Sequence, residues 1–471
     1  MLSHRLLGCN PLSELLDELV SRSLSLGASF AECRFERRFS TSITVVNGVV
    51  EKLSCGVDSG YGLRVLVGGA LGFASASELA AGGLADSAVD SARALSLRVE
   101  EAVALADVPI AKASFRAPCR ESPDAVELSD KVELCKRACE AAGSVDGRVK
   151  SVTVRLADEV DYRALCTSED AWVEQTIPRV LLSVEVVAAD AGNLGYYRGR
   201  VGAAMGYEFL TEERATTLAE DCARRAVRML EAERTPAGRF TVLCDPELTG
   251  VLIHEAFGHA CEADGVIAGS SILKGRLGDK VASELVSAYD DPTIEGSWGW
   301  VPYDDEGVKG EKKALLREGV LTSYITNRES AAKLGLKPNG GARAQSYAHP
   351  PIARMSNTFV APGDWSFEEM VEDIEYGVYL LGSRGGQVEP GKGVFQFNAQ
   401  EAYLIERGEV TKPLRDASLS GLILETLLNV EAVGRDFKLS PGYCGKSGQV
   451  VPASTGGPTI RVRNAVVGGA R

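Results

Sequence analysis

The chain has 471 residues, of which 45% are hydrophobic and 25% charged, and its formal net charge is −14. The length exceeds what one hydrophobic core usually organises, and the composition is that of a globular protein, so we expect two or three domains. The acidic charge argues against non-specific binding to nucleic acids or to anionic membranes, because both require a basic surface.

The N-terminus and the cysteines indicate where the protein resides. MLSHRLLGCNPLSELLDELV lacks the uninterrupted apolar core of a signal peptide, and the chain contains no run of 18 uncharged apolar residues that would predict a membrane span. The 11 cysteines are scattered, odd in number and without a C-x-x-C pair. This usage is typical of reduced, buried thiols, so we predict a cytoplasmic protein.

The first half is predicted to combine helices with β-hairpins. TSITVVNGVVEKLS and YGLRVLVGGALGFAS alternate as hairpins do, with turns at Asn47-Gly48 and Gly68-Gly69. A polar loop with prolines is predicted over 109–123, and similar patterns in 34–75 and 154–198 raise the hypothesis of an internal duplication. Helical periodicity predicts helices over 11–31, 77–105, 128–142 and 211–233, and β-rich runs predict strands over 149–156 and 178–188.

ERTPAGRF, at residues 233–240, predicts a domain boundary, because Pro and Gly end a charged helix before the strand FTVLC begins. We therefore expect an α+β protein with two domains, 1–235 and 236–471. The second domain is predicted to be mostly β, with a few helices that include a long one over 419–434.

The segment GVLIHEAFGHACEADG carries the strongest chemical signal. Asp245-Pro246 is typical of a helix start and Asp264-Gly265 of a helix end, so His254, Glu255 and His259 are predicted inside one helix. A step of five residues leaves two side chains about 140° apart on a regular α-helix. Two histidines could share a metal ion only if a π-bulge distorted the helix, and we expect that distortion near Gly258.

A catalytic zinc site needs a third protein ligand and an open position. The candidates are Cys261, Glu262, His349 and Cys444, and spacing alone does not choose among them. The glutamate directly after the first histidine stands where a general base would reach the attacking water. The alternative reading is two ordinary histidines of a packed helix.

Four stretches of the second half resemble the TldD/PmbA family of metalloproteases. They are HEAFGHACEAD, RAQSYAHPPIARMSNTFVAPG, GGQVEPGKGVFQFNAQEAYLIERGEVTKPLRDASLSG and YCGKSGQVVPASTGGPTIRV, and VVNGVVEKLSCGVDSGYGLRVL resembles the family's N-terminal hairpin region. One branch of the family lacks the histidine motif. The presence of His254, Glu255 and His259 makes this chain similar to the active, TldD-like branch.

The resemblance implies one Zn²⁺ per chain, held by His254, His259 and Cys444, with Glu255 as general base. It leaves Cys261 as a packing residue, and we expect Glu262 to support a ligating histidine. It further implies cleavage of short or unfolded peptides with little sequence demand. The partner it implies is a motif-lacking PmbA/TldE-like paralogue, or a second copy, that encloses the site as a dimer.

Other roles rest on residue type. Tyr347, His349 and Arg354 are candidates for binding substrate or stabilising the transition state, although Pro350-Pro351 also suits a purely structural loop. The glycine-rich segment 385–397 is predicted to take an extended peptide along a sheet edge. Two rival functions are a zinc amidohydrolase that acts on a non-peptide amide and a non-catalytic binding or assembly subunit.

Overall fold

The computed structural model describes residues 11–77 and 82–469. About 24% of the chain is helix and 43% is strand, which confirms the α+β prediction. None of the helices in these residues combines the length and the hydrophobicity that crossing a bilayer requires. Ten cysteines lie among these residues as free thiols, of which eight are buried as predicted and two, Cys55 and Cys119, are exposed.

The first half forms a seven-stranded sheet with four helices on one face. In the sheet the strands follow the order β3-β2-β1-β5-β6-β4, and β7 pairs with the remaining part of the β6 edge. The strands are β1 (Phe30–Val46), β2 (Val49–Val67), β3 (Ala70–Ser77), β4 (Lys112–Arg116), β5 (Val149–Thr167), β6 (Trp172–Asp190) and β7 (Asn193–Ala203). The helices are α1 (Pro11–Ser25), α2 (Leu84–Ser96), α3 (Leu128–Gly143) and α4 (Glu212–Arg228).

Both predicted hairpin turns are present. Asn47 and Gly48 have φ angles of 48° and 80°, and Gly68 and Gly69 have 57° and 79°. Two consecutive residues with positive φ are the mark of a type I′ turn, whose twist matches that of antiparallel strands. The order helix, three strands, helix then occurs twice, as α1-β1-β2-β3-α2 and as α3-β5-β6-β7-α4, which agrees with the duplication hypothesis.

Several predicted boundaries were wrong. The helix predicted over 11–31 ends at Ser25, because Gly27 takes a φ of 99° and β1 begins at Phe30. The helix predicted over 77–105 spans only Leu84–Ser96, and residues 78–81 lie outside the described residues. The loop predicted over 109–123 contains β4.

Two further boundaries also differ. The strands predicted over 149–156 and 178–188 extend to 19 residues each as β5 and β6. Polar residues on the face that packs against the second half hid this length. The helix predicted over 211–233 ends at Arg228 and passes into a 3₁₀ turn at Met229–Glu231.

The second half contains a ten-stranded sheet, a six-stranded sheet and a two-stranded ribbon. Its strands are β8 (Glu233–Arg234), β9 (Gly238–Cys244), β10 (Ala288–Asp290), β11 (Lys313–Arg317), β12 (Val320–Leu321), β13 (Ala342–Arg343), β14 (Ile352–Ala353), β15 (Asn357–Val360), β16 (Tyr376–Leu381), β17 (Gly386–Glu389), β18 (Val394–Asn398), β19 (Glu401–Glu406), β20 (Glu409–Arg415), β21 (Ala417–Leu422), β22 (Val430–Val433), β23 (Lys438–Lys446), β24 (Gln449–Gly457) and β25 (Ile460–Gly469). Its helices are α5 (Pro246–Val251), α6 (Ala263–Ala268), α7 (Arg328–Leu334), α8 (Phe367–Val371) and α9 (Ile423–Leu428).

The ten-stranded sheet follows the order β17-β18-β21-β25-β9-β16-β19-β20-β8, with β22 also on β25, and the six-stranded sheet follows β12-β11-β10-β15-β24-β23. The motif helix leaves β9 and shares one apolar core with residues of both sheets, such as Val242 and Val451. Because β17 is the first strand in this order, it lies at one edge of the ten-stranded sheet.

The prediction of one long helix over 419–434 was wrong. This segment is the strand β21, the short helix α9 and the strand β22, which pairs with β25. Leu419, Ile423, Leu427 and Val430 are all buried at helix-like spacing. Short apolar runs of this kind do not distinguish a helix from buried strands.

The two halves meet through the face of the first sheet that the helices leave open. Arg64 lies 2.7 Å from Glu306, Arg163 lies 2.8 Å from Asp305, and both arginines project from the first sheet. Strand β8, at the predicted boundary, already pairs with β20 of the second half. A division into two domains at residue 235 stays a prediction.

Candidate metal centre

The helix that carries the motif is irregular, as the histidine spacing predicted. It begins with Asp245, whose side chain accepts a hydrogen bond of 2.8 Å from the Leu248 amide, and continues through α5. A π-helical stretch follows at Leu252–Gly258, then a 3₁₀ turn at His259–Cys261 and α6. The predicted end at Asp264-Gly265 was wrong, because the motif helix ends at Cys261, Glu262 has extended backbone with ψ of 121°, and Asp264-Gly265 lies inside the separate helix α6.

The π-helical turn places the two histidines on one side of the helix. The amide of His259 donates to the carbonyl of His254, five residues earlier, which is the bond that defines a π turn. The two imidazole rings lie 5.3 Å apart between centroids. Gly258 allows this packing, because a Cβ atom there would stand 2.2 Å from Met355 Sδ.

Cys444 completes a group of three donors. It lies on β23, and its Sγ is 3.6 Å from Nε2 of His259. Potential ligand atoms of His254, His259 and Cys444 all lie within 4.8 Å of one another. Cys444 and His254 are buried, while the His259 side chain is 13% exposed. Two distant parts of the chain thus bring two nitrogen donors and one sulfur donor together.

Glu262 and Lys446 fix His259 on the Nδ1 side of its ring, away from Cys444. Glu262 Oε2 lies 2.9 Å from His259 Nδ1, so Nε2 is left facing Cys444. Lys446 Nζ lies 3.1 Å from the same Glu262 oxygen and 2.7 Å from Asp264. A carboxylate on the far ring nitrogen of a histidine fixes its tautomer and its orientation.

The charges in this cluster favour an ionised thiol. Burial alone would raise the pKa of Cys444, but the charges and hydrogen bonds of His254 and His259 outweigh it and lower the pKa to about 5. Burial would also raise the pKa of Glu262, yet His259 and Lys446 lower it. Thiolate is the form of cysteine that binds metals.

Glu255 lies at the open side of the cluster. Its side chain is 38% exposed and its Oε2 is 3.7 Å from Nε2 of His259. Glu255 and His254 line a cleft of about 260 Å³, together with Gly386 and Val388 of the edge strand β17 and Tyr443 of β23. Gly386 and Val388 lie two residues apart on β17, so the same face of this strand contributes both of them to the cleft.

The other candidates make contacts of a different kind. Arg354 is buried and donates to the carbonyl of Cys444 and, at 3.3 Å, to that of Gln449, so it braces the strands that carry the thiol. Tyr347 donates to Asp58 at 3.2 Å, and His349 Nδ1 lies 3.0 Å from Ser346 Oγ. Roles in the transition state stay predictions for these three residues.

Cys261 and His349, proposed as alternative third ligands, lie outside the group of three donors. Cys261 is fully buried in the apolar core, where burial raises the pKa of its thiol well above the usual range. Arg198 and Arg200, by contrast, line the cleft although the sequence analysis did not single them out. Their signal was present in GYYRGR, since alternate residues of a strand share one face.

Comparison with known proteins places this geometry in a family. Models described as the first, central and C-terminal domains of the PmbA/TldA metallopeptidases match residues 31–106, 121–230 and 237–469. A metalloprotease of Methanothermobacter thermautotrophicus is 45% identical over 93% of this chain and 95% of its own. A zinc metalloprotease TldD homolog of Saccharolobus solfataricus is 31% identical over 96% of this chain and 99% of its own.

Solved structures show the same fold. A Thermotoga maritima crystal structure superposes with a TM-score of 0.81 at 23% identity and covers 97% of this chain and 100% of its own. TldE from Thermococcus kodakarensis gives a TM-score of 0.79 at 17% identity, with coverage of 97% and 100%. The histidine-bearing π turn, the matches along the whole chain and these relatives together show that the chain belongs to the TldD/PmbA family of metallopeptidases.

Proposed function

We propose that this protein is a zinc-dependent metallopeptidase that hydrolyses short or unfolded peptides with low sequence specificity. The observation that carries the proposal is the group of His254, His259 and Cys444, whose donor atoms lie within 4.8 Å of one another beside a partly exposed glutamate. The names of the relatives support the same reaction class.

The residues fit a zinc ion. Two imidazoles and a thiolate are ligands that zinc accepts, and three protein ligands leave one position for the reaction. Among the described residues, Nδ1 of the buried His254 has no hydrogen-bond partner, which a metal would relieve if His254 bound through that atom. When bound, zinc would polarise the scissile carbonyl and lower the pKa of water toward neutrality.

Glu255 moves the proton in this proposal. Its carboxylate reaches the cleft next to the metal ligands, so it can take a proton from the attacking water and deliver it to the leaving amine. Glu262 keeps His259 in the orientation that presents Nε2. Arg354 fixes the backbone of Cys444, so that the third ligand meets the first two.

The edge strand β17 supports peptides as the substrate class. Within the described residues β17 pairs only with β18, and its residues Gly386 and Val388 line the cleft. A peptide added there would be held through its backbone, which gives affinity with little demand on side chains. Only a chain that can become extended would fit, so folded proteins are excluded.

Dimerisation would narrow the access further. We propose that the protein acts in the cytoplasm, with a motif-lacking paralogue or a second copy as its partner, in a dimer that encloses the cleft. The first ten residues of β2 are exposed, and they include Val49 at 66% and Val57 at 56% exposure. Strand β3 pairs with β2 only from Gly60 onward, so this edge, with its exposed Val49, Val50, Leu53 and Val57, suits a protein contact.

Two measurements on the purified protein test the proposal. We expect plasma mass spectrometry to find about one zinc per chain, held by wild type and by Cys261→Ala, and lost in His259→Ala and Cys444→Ala. Zinc-loaded wild type should cut a panel of unstructured peptides and leave folded proteins intact. If the protein binds no zinc, a non-catalytic binding or assembly subunit becomes the favoured function. If it cuts only non-peptide amides, a zinc amidohydrolase becomes the favoured function.

A further inference from the structure

Two arginines project into the cleft from the first half of the chain. Arg198 and Arg200 lie two residues apart on β7, and both line the cleft that also contains His254 and Glu255. A Cβ atom at Gly199 would meet Cys222 of α4, so the residue between them faces the helices and the two arginines share the opposite face. The guanidinium of Arg200 lies next to Gly442, two residues before Cys444.

These two charges lack the partners that neighbouring arginines have. Arg155 on β5 lies 2.6 Å from Glu185, and Arg225 on α4 lies 2.9 Å from Glu401. Among the described residues, no carboxylate comes within the 4.0 Å of an ion pair for either Arg198 or Arg200. Glu185 stands opposite Arg198 in the strand register, but its carboxylate is taken by Arg155.

Burial makes this arrangement costly. Both side chains are only partly exposed, and burial lowers the pKa of Arg200, which Glu247 raises and Arg198 lowers further. Unpaired charges in a recess lose hydration without compensation. Glu255 is the single carboxylate that lines the described cleft, so the cleft carries excess positive charge opposite the catalytic glutamate.

Guanidinium groups side by side suit a planar anion. Arginine binds carboxylates through paired N–H donors, and the fixed fork gives orientation as well as affinity. The cleft of about 260 Å³ is also lined by Gly386 and Val388 of the edge strand β17. A peptide that enters along this edge would bring a carboxylate to the arginines while its backbone passes the metal ligands.

We propose that Arg198 and Arg200 form a carboxylate-binding pair that fixes the position of the peptide substrate, so that peptides with a carboxylate close to the scissile bond are preferred. The inference rests on the proposed peptidase function and narrows its substrate class. The carboxylate has two possible sources, the C-terminus of the peptide and an aspartate or glutamate side chain. A C-terminal carboxylate would direct cleavage to bonds near the end of the chain.

The test measures binding separately from cleavage. Zinc-loaded Glu255→Gln protein is titrated with a short unstructured peptide that carries an N-terminal fluorophore, either as the free acid or as the C-terminal amide. A second pair of amidated peptides carries aspartate or asparagine at its last residue. We expect the peptide with a carboxylate to bind about tenfold more tightly than its neutral counterpart in at least one pair, since hydrogen bonds to charged groups are the strong ones.

Arginine variants then show where the carboxylate binds. In the Glu255→Gln background, Arg198→Gln/Arg200→Gln should remove the difference between the charged and the neutral peptide. Arg198→Lys/Arg200→Lys keeps the charge and should retain part of the difference, which guards against loss of folding. Arg224→Gln, an exposed arginine of α4 that is paired with Glu220, is the matched control and should leave the difference unchanged.

Each outcome decides one claim. Equal binding of charged and neutral peptides in both pairs overturns the inference, and so does a difference that survives in Arg198→Gln/Arg200→Gln, because the carboxylate would then bind elsewhere, for example at the metal. If the difference disappears in that variant but wild type cuts none of the peptides, the carboxylate site stands and the peptidase proposal fails.

Discussion

Two groups of buried charges in this protein differ in how completely they are paired. At the contact between the halves, Arg64 lies 2.9 Å from Glu32 and 2.7 Å from Glu306, and Arg163 lies 2.8 Å from Asp305. In the cleft, the described residues offer Arg198 and Arg200 no ion-pair partner. Beside this cleft, His254 and His259 lower the pKa of the buried Cys444 to about 5, which favours the thiolate.

The difference separates structure from function. The paired cluster, formed by Arg64, Arg163, Glu32, Asp305 and Glu306, balances its charges through ion pairs within the chain. Charged groups that lack an ion-pair partner, and titratable groups with shifted pKa values, indicate a binding site for a metal or a ligand when they lie beside a cleft. Changes in the paired cluster should therefore alter stability, and changes in the cleft should alter metal binding, substrate binding or rate.

The largest effect expected from a single cleft substitution that spares the ligands is that of Glu255→Gln. Loss of a general base lowers kcat by about 10²- to 10⁴-fold. The metal should stay, because His254, His259 and Cys444 are unchanged, so zinc content and kcat are measured on the same preparation. Full activity without the carboxylate would remove Glu255 from the mechanism.

Arg64→Ala changes the paired cluster and should lower the stability of the fold. It leaves Glu32 and Glu306 buried without their cation, which costs about 3–5 kcal/mol in the free energy of unfolding. Denaturant unfolding measures this, with Arg224→Ala as an exposed control that should stay within about 0.5 kcal/mol of wild type. If Arg64→Ala kept wild-type stability but lost zinc, the separation between the two groups would be wrong.

Glu262→Gln should weaken zinc binding by about 10- to 100-fold, as expected for a residue that orients a ligating histidine. The measurement is competition with a metal chelator. Asp264→Asn is the matched control, because Asp264 also binds Lys446 but does not touch His259. Equal affinities of the two variants would show that the contact with His259 does not support the metal.

Gly258→Ala should cost about 1–3 kcal/mol in the free energy of unfolding, because the added methyl group overpacks the π turn. The Cβ atom of an alanine at position 258 would lie 2.2 Å from Met355 Sδ. Shortening that side chain in Gly258→Ala/Met355→Ala should recover part of the loss. A cost that is unchanged in the Met355→Ala background would place the strain in the backbone instead.

Sequence rules for helix caps and turns predicted the features that depend on neighbouring residues. The helix start at Asp245 and the turns at Asn47-Gly48 and Gly68-Gly69 follow from hydrogen bonds and φ angles of adjacent residues. The π turn followed from the spacing of His254 and His259, because the structure had to bring them together if they act as one site.

Long-range packing set the limits of prediction. Cys444 lies 185 residues from His259, so the residues alone offered it as one of four candidate ligands and only the family resemblance chose it. Arg198 and Arg200 become part of the cleft only when the two halves come together, and they lie on β7, a strand for which the sequence analysis gave no bounds. The segment 419–434 looked helical because its apolar residues pack on both sides of a strand–helix–strand unit.

The most direct test of the account is X-ray absorption spectroscopy at the zinc edge of the loaded protein. We predict a first shell with two nitrogen ligands at about 2.0–2.1 Å and one sulfur ligand at about 2.3 Å. The sulfur contribution should disappear in Cys444→Ala and remain in Cys261→Ala. A zinc shell without sulfur in wild type, or a sulfur that survives in Cys444→Ala, would contradict the assignment of His254, His259 and Cys444 as the metal site.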